Sequence, residues 1–211
     1  MGELNHDDVD SFFHALAEKA PYRIKVILTG GVEAMLLGGT RPTRDIDFGV
    51  LPSGGPKVRE TMWNQIEQTI SDVAYRQGIA VQYAEDIERW SMIALPSYQR
   101  HTHLYRRFGR VSVHLLDPEY WAVSKLMRYL DTDITDIGAV LQTQRVPWGK
   151  VARICGRALR ASPRSSALWL FRRQVEHFFK EYGRKIWGQG FEPMEAIRTF
   201  HRTAGIPTIK T

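Results

Sequence analysis

The sequence predicts an α+β protein, with an α/β half followed by an all-helical C-terminal half. Two observations support this prediction. Short β-branched runs alternate with amphipathic segments in the first half, and from Pro118 onward the apolar residues recur at helical spacing. Strand–helix alternation followed by helices alone is typical of a sheet domain with a helical appendage. We therefore expect one domain over residues 1–117 and a second, helical domain packed against it over residues 118–211.

The first half is predicted to begin with a helix over residues 8–20 and a strand over residues 23–28. Gly30 and Gly31 end that strand, a short helix follows over residues 32–37, and a second strand runs over residues 45–51. The remaining predicted elements are a loop over residues 52–56, a long amphipathic helix over residues 58–77 and a third strand over residues 79–83.

Residues 85–101 predict a loop with a helical turn, and residues 103–108 and 110–116 predict a hairpin that turns at Gly109. Beyond Pro118 the predicted helices are interrupted near Thr132, near Pro147, near Pro163 and over residues 188–192.

Composition narrows the class of protein. The chain has 211 residues, of which 43% are hydrophobic and 25% charged, as in ordinary globular proteins. The net charge of +6 favours a polyanionic partner, either a nucleic acid or a nucleoside triphosphate. The single cysteine, Cys155, excludes an intrachain disulfide and is expected to be a buried thiol. No apolar run is long enough to cross a membrane, so we expect a cytoplasmic protein.

The motif with the clearest chemistry is a Gly-Gly turn followed by Asp45-Ile46-Asp47. On a strand, residues two apart point to the same face and lie about 6.5 Å apart along the strand. Two such carboxylates can bind Mg²⁺ or Mn²⁺, which accept oxygen ligands and substrate phosphates. Gly30 and Gly31 allow a close backbone approach to phosphate oxygens.

Each half of this motif also has a simpler interpretation. Gly-Gly is common at turns, and an Asp-x-Asp pair at a strand start is often a solvated edge. Arg41, Thr43 and Arg44 directly precede the carboxylates, where they can contact phosphate or simply counter the acidic pair. The joint pattern favours nucleotide binding.

These residues resemble the core signature of the polymerase-beta-like nucleotidyltransferase superfamily, which is a Gly-Gly or Gly-Ser, a spacer and Asp-hydrophobic-Asp. The form RPTRDID is similar to that of the AbiEii-type toxins and their minimal relatives, which are bacterial toxin–antitoxin and phage-defence proteins. The resemblance covers roughly residues 23–142 and implies a nucleotidyltransferase-like mixed β-sheet flanked by helices. It further implies Asp45 and Asp47 as metal ligands, with Gly30, Gly31, Arg41, Thr43 and Arg44 at the nucleotide, which is ATP or another nucleoside triphosphate.

A second resemblance lies in LLDPEYWAVSKLMRYLDTDITDI. By that match Lys125 corresponds to the family's lysine and Asp133 and Asp136 to its acidic pair, so Lys125 and Asp133 are added as catalytic residues and Lys125 as a phosphate contact. From the residues alone, Lys125 can be a solvated helix lysine, and Asp133 can cap the next helix with Asp136 in its first turn. Asp117 before Pro118 is interpreted as a structural N-cap.

One position departs from the superfamily. Many members carry a third carboxylate on a later strand, and the matching position here is His114. A histidine can act as a base, bind a metal or simply face solvent.

Basic residues are frequent in the last third. Lys150, Arg153, Arg157 and Arg160 are spaced three or four apart, and further basic residues are interleaved with aromatic ones up to Trp187. This pattern suits a structured RNA such as a tRNA acceptor arm. It is equally consistent with an aromatic helical core whose arginines form a solvated rim.

The leading hypothesis is a metal-dependent nucleotidyltransferase that transfers a nucleoside monophosphate to an RNA or protein hydroxyl, as the toxin of a pair with a cognate antitoxin protein. The first alternative is a degenerate domain of the same fold that only binds a partner. The second is a transferase acting on a small hydroxylated compound such as an aminoglycoside.

Overall fold

The computed structural model describes residues 2–52 and 56–207, without the side chains of residues 56–61 and 89–90. The chain divides into two compact units. The sheet unit comprises Met1–Leu36, Arg41–Ile87 and Thr102–Leu116, and the helical unit comprises Leu37–Thr40, Glu88–His101 and Asp117–Thr211. Segments 37–40 and 88–101 thus belong to the helical unit, and the predicted boundary between residues 117 and 118 stays a prediction.

In its described residues, the sheet unit contains three helices and five strands. In chain order they are α1 (His6–Lys19), β1 (Ile24–Thr29), α2 (Gly30–Leu36), β2 (Asp45–Pro52), α3 (Pro56–Gln77), β3 (Ala80–Ala84), β4 (Thr102–Phe108) and β5 (Val111–Leu116). These bounds confirm every predicted strand to within a few residues. The helix α2 begins at Gly30 rather than at residue 32, because Gly30 adopts a φ of 69° and turns the chain directly from strand into helix. Residues 53–55 of the predicted loop lie outside the described residues.

The five strands form one mixed sheet in the order β3-β2-β1-β5-β4. β1 pairs antiparallel with β2 and parallel with β5, β2 pairs parallel with β3, and β4 and β5 form the predicted hairpin. The mixed sheet with flanking helices confirms the predicted fold class.

One face of the sheet forms an apolar core. Phe48 of β2 lies 6.1 Å from the ring of Phe12 and 5.7 Å from the ring of Phe13, both on α1. Strand alternation places Phe48 with the buried Ile46 and Val50 on this face, so the intervening residues of β2 point to the opposite face.

The helical unit contains α4 (Pro118–Leu126), α5 (Asp131–Thr143), α6 (Trp148–Ala161), α7 (Ser166–Trp187) and α8 (Pro193–Ala204). Two short 3₁₀ turns, Ile87–Trp90 and Tyr98–Arg100, lie where the sequence predicts a loop with a helical turn. The helical C-terminal region is therefore confirmed, and Cys155 on α6 is buried as predicted. None of the described helices has the length and apolar character needed to cross a membrane.

Candidate nucleotide and metal site

The predicted carboxylate pair lies on one face of β2. Asp45 and Asp47 are half-buried, whereas their neighbours Ile46 and Phe48 are fully buried on the other face. Two residues of strand separate the aspartates by about 6.5 Å along β2. The apolar pattern of β2 therefore fixes the carboxylates on the face opposite the aromatic core.

The Gly-Gly turn lies directly against this pair. Thr29, the last residue of β1, is paired in the sheet with Asp47, so Gly30 begins α2 beside that carboxylate. A Cβ atom at Gly30 would lie 1.8 Å from Oδ2 of Asp47, and one at Gly31 would lie 2.6 Å from Oγ1 of Thr43. Both glycines are required by the close approach of α2 to the residues of the Asp-x-Asp motif.

Two neutral side chains hold the Asp45 carboxylate. The Thr43 hydroxyl donates to Oδ1 at 3.2 Å and the Gln82 amide donates to Oδ2 at 3.0 Å. Gln82 lies on β3 directly across from Asp47, which brings it to the same face of the sheet. These hydrogen bonds restrict the rotation of the carboxylate while leaving lone pairs on each oxygen for a further ligand.

The three predicted nucleotide contacts in the loop before β2 differ in burial. Thr43 is buried, and its backbone carbonyl accepts a hydrogen bond from the amide of Leu4 at 2.8 Å. Arg41 and Arg44 are exposed. Thr43 thus orients Asp45 from within the fold, and the two arginines add positive charge beside the carboxylates.

His114 lies on the same face of the sheet, but away from Asp47. In the sheet register, His114 on β5 pairs with Ile27 on β1, and Ile27 pairs with Gly49 on β2. His114 is therefore two strands away from β2 and level with a residue two positions beyond Asp47. Strand geometry gives a Cα separation of about 12 Å. In agreement, no group of three or more His, Cys, Asp or Glu side chains suited to one metal ion occurs among the described residues.

The imidazole of His114 is kept neutral. Burial, and then the positive charges of Lys25, His103 and Arg107, lower the pKa of His114 to about 4. Its buried Nδ1 atom has no hydrogen-bond partner among the described residues. This histidine therefore carries no charge at pH 7 and does not substitute electrostatically for a third carboxylate.

Glu33 was missed by the sequence analysis. It lies on α2, its side chain is fully buried, and its Oε1 atom accepts a hydrogen bond from the amide of Leu116 at the end of β5. The signal in the sequence was a lone carboxylate in the apolar stretch VEAML. Because Glu33 joins α2 to β5, it fixes the helix that begins with the Gly-Gly turn.

Lys125 and Asp133 lie together in the helical unit. Nζ of Lys125 is 3.6 Å from Oδ1 of Asp133, and both side chains are buried. Arg128 donates from Nε to Oδ2 of Asp133 at 2.8 Å, and the Leu130 amide also donates to this oxygen. The helix α5 begins at Asp131, so Asp133 caps it from the third position of its first turn.

The electrostatics of Asp133 favour the charged form. Burial raises its pKa, but the hydrogen bond from Arg128 and the charges of Lys125 and Arg128 outweigh burial, so the pKa lies below its ordinary value. These contacts join α4 to α5. The predicted catalytic roles of Lys125 and Asp133 stay predictions.

Two further acids of this segment, Asp136 and Asp117, lie within or at the start of a helix. Asp136 is buried in α5. Asp117 is the N-cap residue of α4 with Pro118 at the first helical position, as predicted, but its side chain makes no capping hydrogen bond. Its Oδ2 atom instead lies 3.4 Å from Nδ1 of His101.

The carboxylate pair fits a divalent metal bound together with phosphate. Mg²⁺ is typically held by one or two carboxylates plus substrate phosphates and water, rather than by an all-protein cage. Asp45 and Asp47 supply two oxygen-bearing groups on one face, and the absence of a Cβ at Gly30 leaves room for Oδ2 of Asp47. The chemistry of the donors therefore suits Mg²⁺ or Mn²⁺.

A mixed sheet that carries Asp-x-Asp on one strand, beside a Gly-Gly turn on the adjacent strand, has the form of a nucleotidyltransferase domain. The chain belongs to the family described as Nucleotidyltransferase of unknown function (DUF6036), whose model matches residues 7–182. No curated protein and no solved structure matches the chain. The family assignment thus agrees with the class predicted from the motif, and it does not extend to the AbiEii-type subgroup.

Proposed function

We propose that the protein is a metal-dependent nucleotidyltransferase that transfers a nucleoside monophosphate from a nucleoside triphosphate to a hydroxyl group. The observation that carries the proposal is the position of Asp45 and Asp47 on one face of β2, with the Asp47 side chain directly against Gly30. The family description supports the same reaction class.

In the proposed reaction, Asp45 and Asp47 bind Mg²⁺ or Mn²⁺. When bound, the ion orients the triphosphate and neutralises charge that develops at the α-phosphorus. Thr43 and Gln82 hold Asp45 in its binding orientation, and Arg41 and Arg44 attract the anionic nucleotide. The acceptor oxygen forms a bond to the α-phosphorus, the bond from this phosphorus to the bridging oxygen breaks, and pyrophosphate leaves as the hydroxyl proton passes to solvent.

For Lys125 and Asp133 we propose a structural role rather than a catalytic one. The buried contacts between Lys125, Arg128 and Asp133 support a function in holding α4 to α5. The proposed reaction therefore depends on residues of the sheet unit, and substitutions of the buried ion pair are expected to act first on stability.

For the acceptor and the biological role, we propose an RNA or protein hydroxyl and a toxin that is neutralised by a partner protein. The similarity of RPTRDID to the motif of AbiEii-type toxins supports this assignment. Expression of the chain alone should arrest growth of a bacterial host, and the double variant Asp45→Asn/Asp47→Asn should relieve the arrest. Equal growth with both proteins would contradict the toxin role.

A second candidate is a domain that binds nucleotide without turnover. The neutral His114, which lies about two strand spacings away from the carboxylate pair, favours this candidate because it supplies no third acid.

A transfer assay distinguishes the two candidates. The full chain is incubated with Mg²⁺, each of the four α-labelled nucleoside triphosphates, and either total RNA or a protein lysate. Transfer predicts a labelled acceptor and released pyrophosphate, both lost in Asp45→Asn and retained in Asp72→Asn, a matched change on α3. Binding of nucleotide without label transfer or pyrophosphate would contradict the enzyme and support the binding domain.

A further inference from the structure

The net positive charge of the protein comes from its last 94 residues. Residues 118–211 contain 16 lysines and arginines against eight aspartates and glutamates, whereas residues 1–117 contain 13 against 15. The net charge of +6 therefore does not come from the part of the chain that carries the proposed nucleotide site. The excess of basic residues in this helical part of the chain therefore needs an explanation other than binding of the nucleoside triphosphate.

One face of α7 carries a line of exposed residues, one tryptophan followed by four basic side chains. Its members, called the α7 stripe below, are spaced four, four, three and four residues apart, so they share one side of the helix. All five are exposed: Trp169, Arg173, His177, Lys180 and Arg184. The stripe extends over about 22 Å, given the rise of an α-helix. The opposite side of α7 is apolar and buried.

The charges of the stripe are not neutralised within the described part of the chain. Arg173, Lys180 and Arg184 form no ion pair with any described acidic side chain. The nearby acid Glu176 is held by Arg172 at 2.7 Å and by His201 at 2.6 Å.

Glu181 is the exposed acid next to the stripe in sequence, and in the described part of the chain it forms no ion pair with a residue of the stripe. The α7 stripe is therefore a basic surface whose charges are available to an external anion.

Trp169 gives this surface a second property. The aromatic residues Phe171, Phe178 and Phe179 of the same helix are fully buried, but Trp169 is 61% exposed. The guanidinium carbon of Arg173 lies 4.7 Å from the centroid of the Trp169 ring. Burial in the helical core does not explain Trp169. A cation held against an exposed indole is a combination on which nucleic-acid bases stack.

We propose that the α7 stripe binds single-stranded nucleic acid. Arg173, Lys180 and Arg184 contact successive phosphates, and an unpaired base stacks on Trp169. Phosphate charge accounts for the basic residues, and an unpaired base accounts for the exposed ring. The proposal goes beyond the nucleotidyltransferase function because strand binding requires neither Asp45 nor Asp47.

Fluorescence anisotropy of labelled 20-nucleotide strands with the full chain tests the proposal. The variant is Arg173→Gln/Lys180→Gln/Arg184→Gln, and the matched control is Arg153→Gln/Arg157→Gln/Arg160→Gln on α6, where all three residues are also exposed. The α7 triple should weaken binding at least 30-fold at low salt and lower the slope of log Kd against log salt by about 2. The α6 triple should change Kd less than threefold.

Trp169 is tested separately. Trp169→Ala should weaken binding to the single strand about tenfold and leave binding to a duplex of the same length unchanged. Leu170→Ala, which removes the neighbouring 44% exposed side chain, is the control and should have no effect. Oligoribonucleotide and oligodeoxyribonucleotide arms identify the preferred sugar, and binding of either strand supports the proposal.

Three outcomes would overturn the proposal: equal losses of affinity in the α7 and α6 triple variants, duplex binding as tight as single-strand binding, or no strand binding at 50 mM salt. Asp45→Asn should bind the strand as the unsubstituted chain does. The strand-binding proposal can therefore fail while nucleotide binding is retained, and the reverse also holds.

Discussion

Oδ2 of Asp47 lies 1.8 Å from the position that a Cβ atom at Gly30 would occupy. Gly30 is held there by the sheet register, in which Thr29 pairs with Asp47, and by its φ of 69°. The carboxylate and the turn therefore cannot change independently. The Gly-Gly turn is therefore needed to position the Asp47 carboxylate, in addition to any contact that it makes with phosphate.

This relationship predicts the effect of Gly30→Ala. An alanine at positive φ costs about 1–2 kcal/mol of unfolding free energy, and the new methyl group must also displace Asp47. The matched control is Gly78→Ala, because Gly78 has a φ of 65° with no atom within 4 Å of its missing Cβ. Calorimetric titration with Mg²⁺ and nucleotide should show at least a tenfold loss of affinity for Gly30→Ala alone. Equal affinities in the two variants would show that the Asp47 contact has no role in binding.

A second prediction concerns the side chain that orients Asp45. Gln82→Ala removes the donor to Oδ2 of Asp45 and should weaken metal-dependent nucleotide binding about tenfold with little change in melting temperature. Gln68→Ala removes a similar bond of 2.8 Å to Asp72 on α3 and serves as the control. If both variants bind nucleotide as well as the unsubstituted chain, orientation of Asp45 by Gln82 is not required.

A third prediction concerns the buried ion pair. Asp133→Asn removes the carboxylate that pairs with the buried Lys125 and should lower the unfolding free energy by about 3 kcal/mol, or the melting temperature on the order of 10 °C. Asp131→Asn, an exposed change two residues away, should shift the melting temperature little. Because the pKa of Asp133 lies below its ordinary value of 3.8 in the folded chain, its stabilisation is present above about pH 4 and is lost as the pH falls through the lowered pKa.

The pH dependence of that difference is the test. The gap in melting temperature between the unsubstituted chain and Asp133→Asn should stay constant from pH 7 to pH 5 and narrow below about pH 4. A gap that does not change with pH would mean that the charge of Asp133 does not contribute.

A fourth prediction concerns His114. Its imidazole resonance should titrate with a midpoint of about 4 rather than near the ordinary value of 6.5, and Lys25→Met should raise the midpoint by removing a neighbouring positive charge. A base whose folded pKa is lowered stabilises the fold above its unfolded pKa, so stability should fall as the pH decreases from 6.5 towards 4. His114→Asn should remove this part of the acid sensitivity. A midpoint near 6.5 in the folded chain would contradict the neutral histidine.

The features that could be predicted from the sequence are those that depend only on the local pattern of residues. Alternation along residues 45–51 placed both aspartates on one face of a strand, and the Gly-Gly pair marked the turn that precedes them in the chain. Both features follow from the two-residue period of a strand and from the freedom of glycine, which need no tertiary information.

The sequence could not predict contacts that depend on strand pairing or helix packing. Gln82 orients Asp45 only because β3 pairs parallel with β2, and Glu33 meets the amide of Leu116 through the order of β1 and β5. Lys125 and Asp133 were named from the sequence and their catalytic roles stay predictions, whereas their shared contact with Arg128 was not foreseen. Trp169 followed the same aromatic pattern as the buried Phe171, and only the packing of α7 distinguishes them.

The most direct test of the proposed site is calorimetric titration of the full chain with nucleoside triphosphate in the presence and absence of Mg²⁺. The site predicts Mg²⁺-dependent binding that falls at least 100-fold in Asp45→Asn and in Asp47→Asn, while both variants keep the unsubstituted melting temperature and Asp72→Asn binds normally. Mg²⁺-dependent binding of unchanged affinity in both variants would contradict the assignment of Asp45 and Asp47 as the metal ligands.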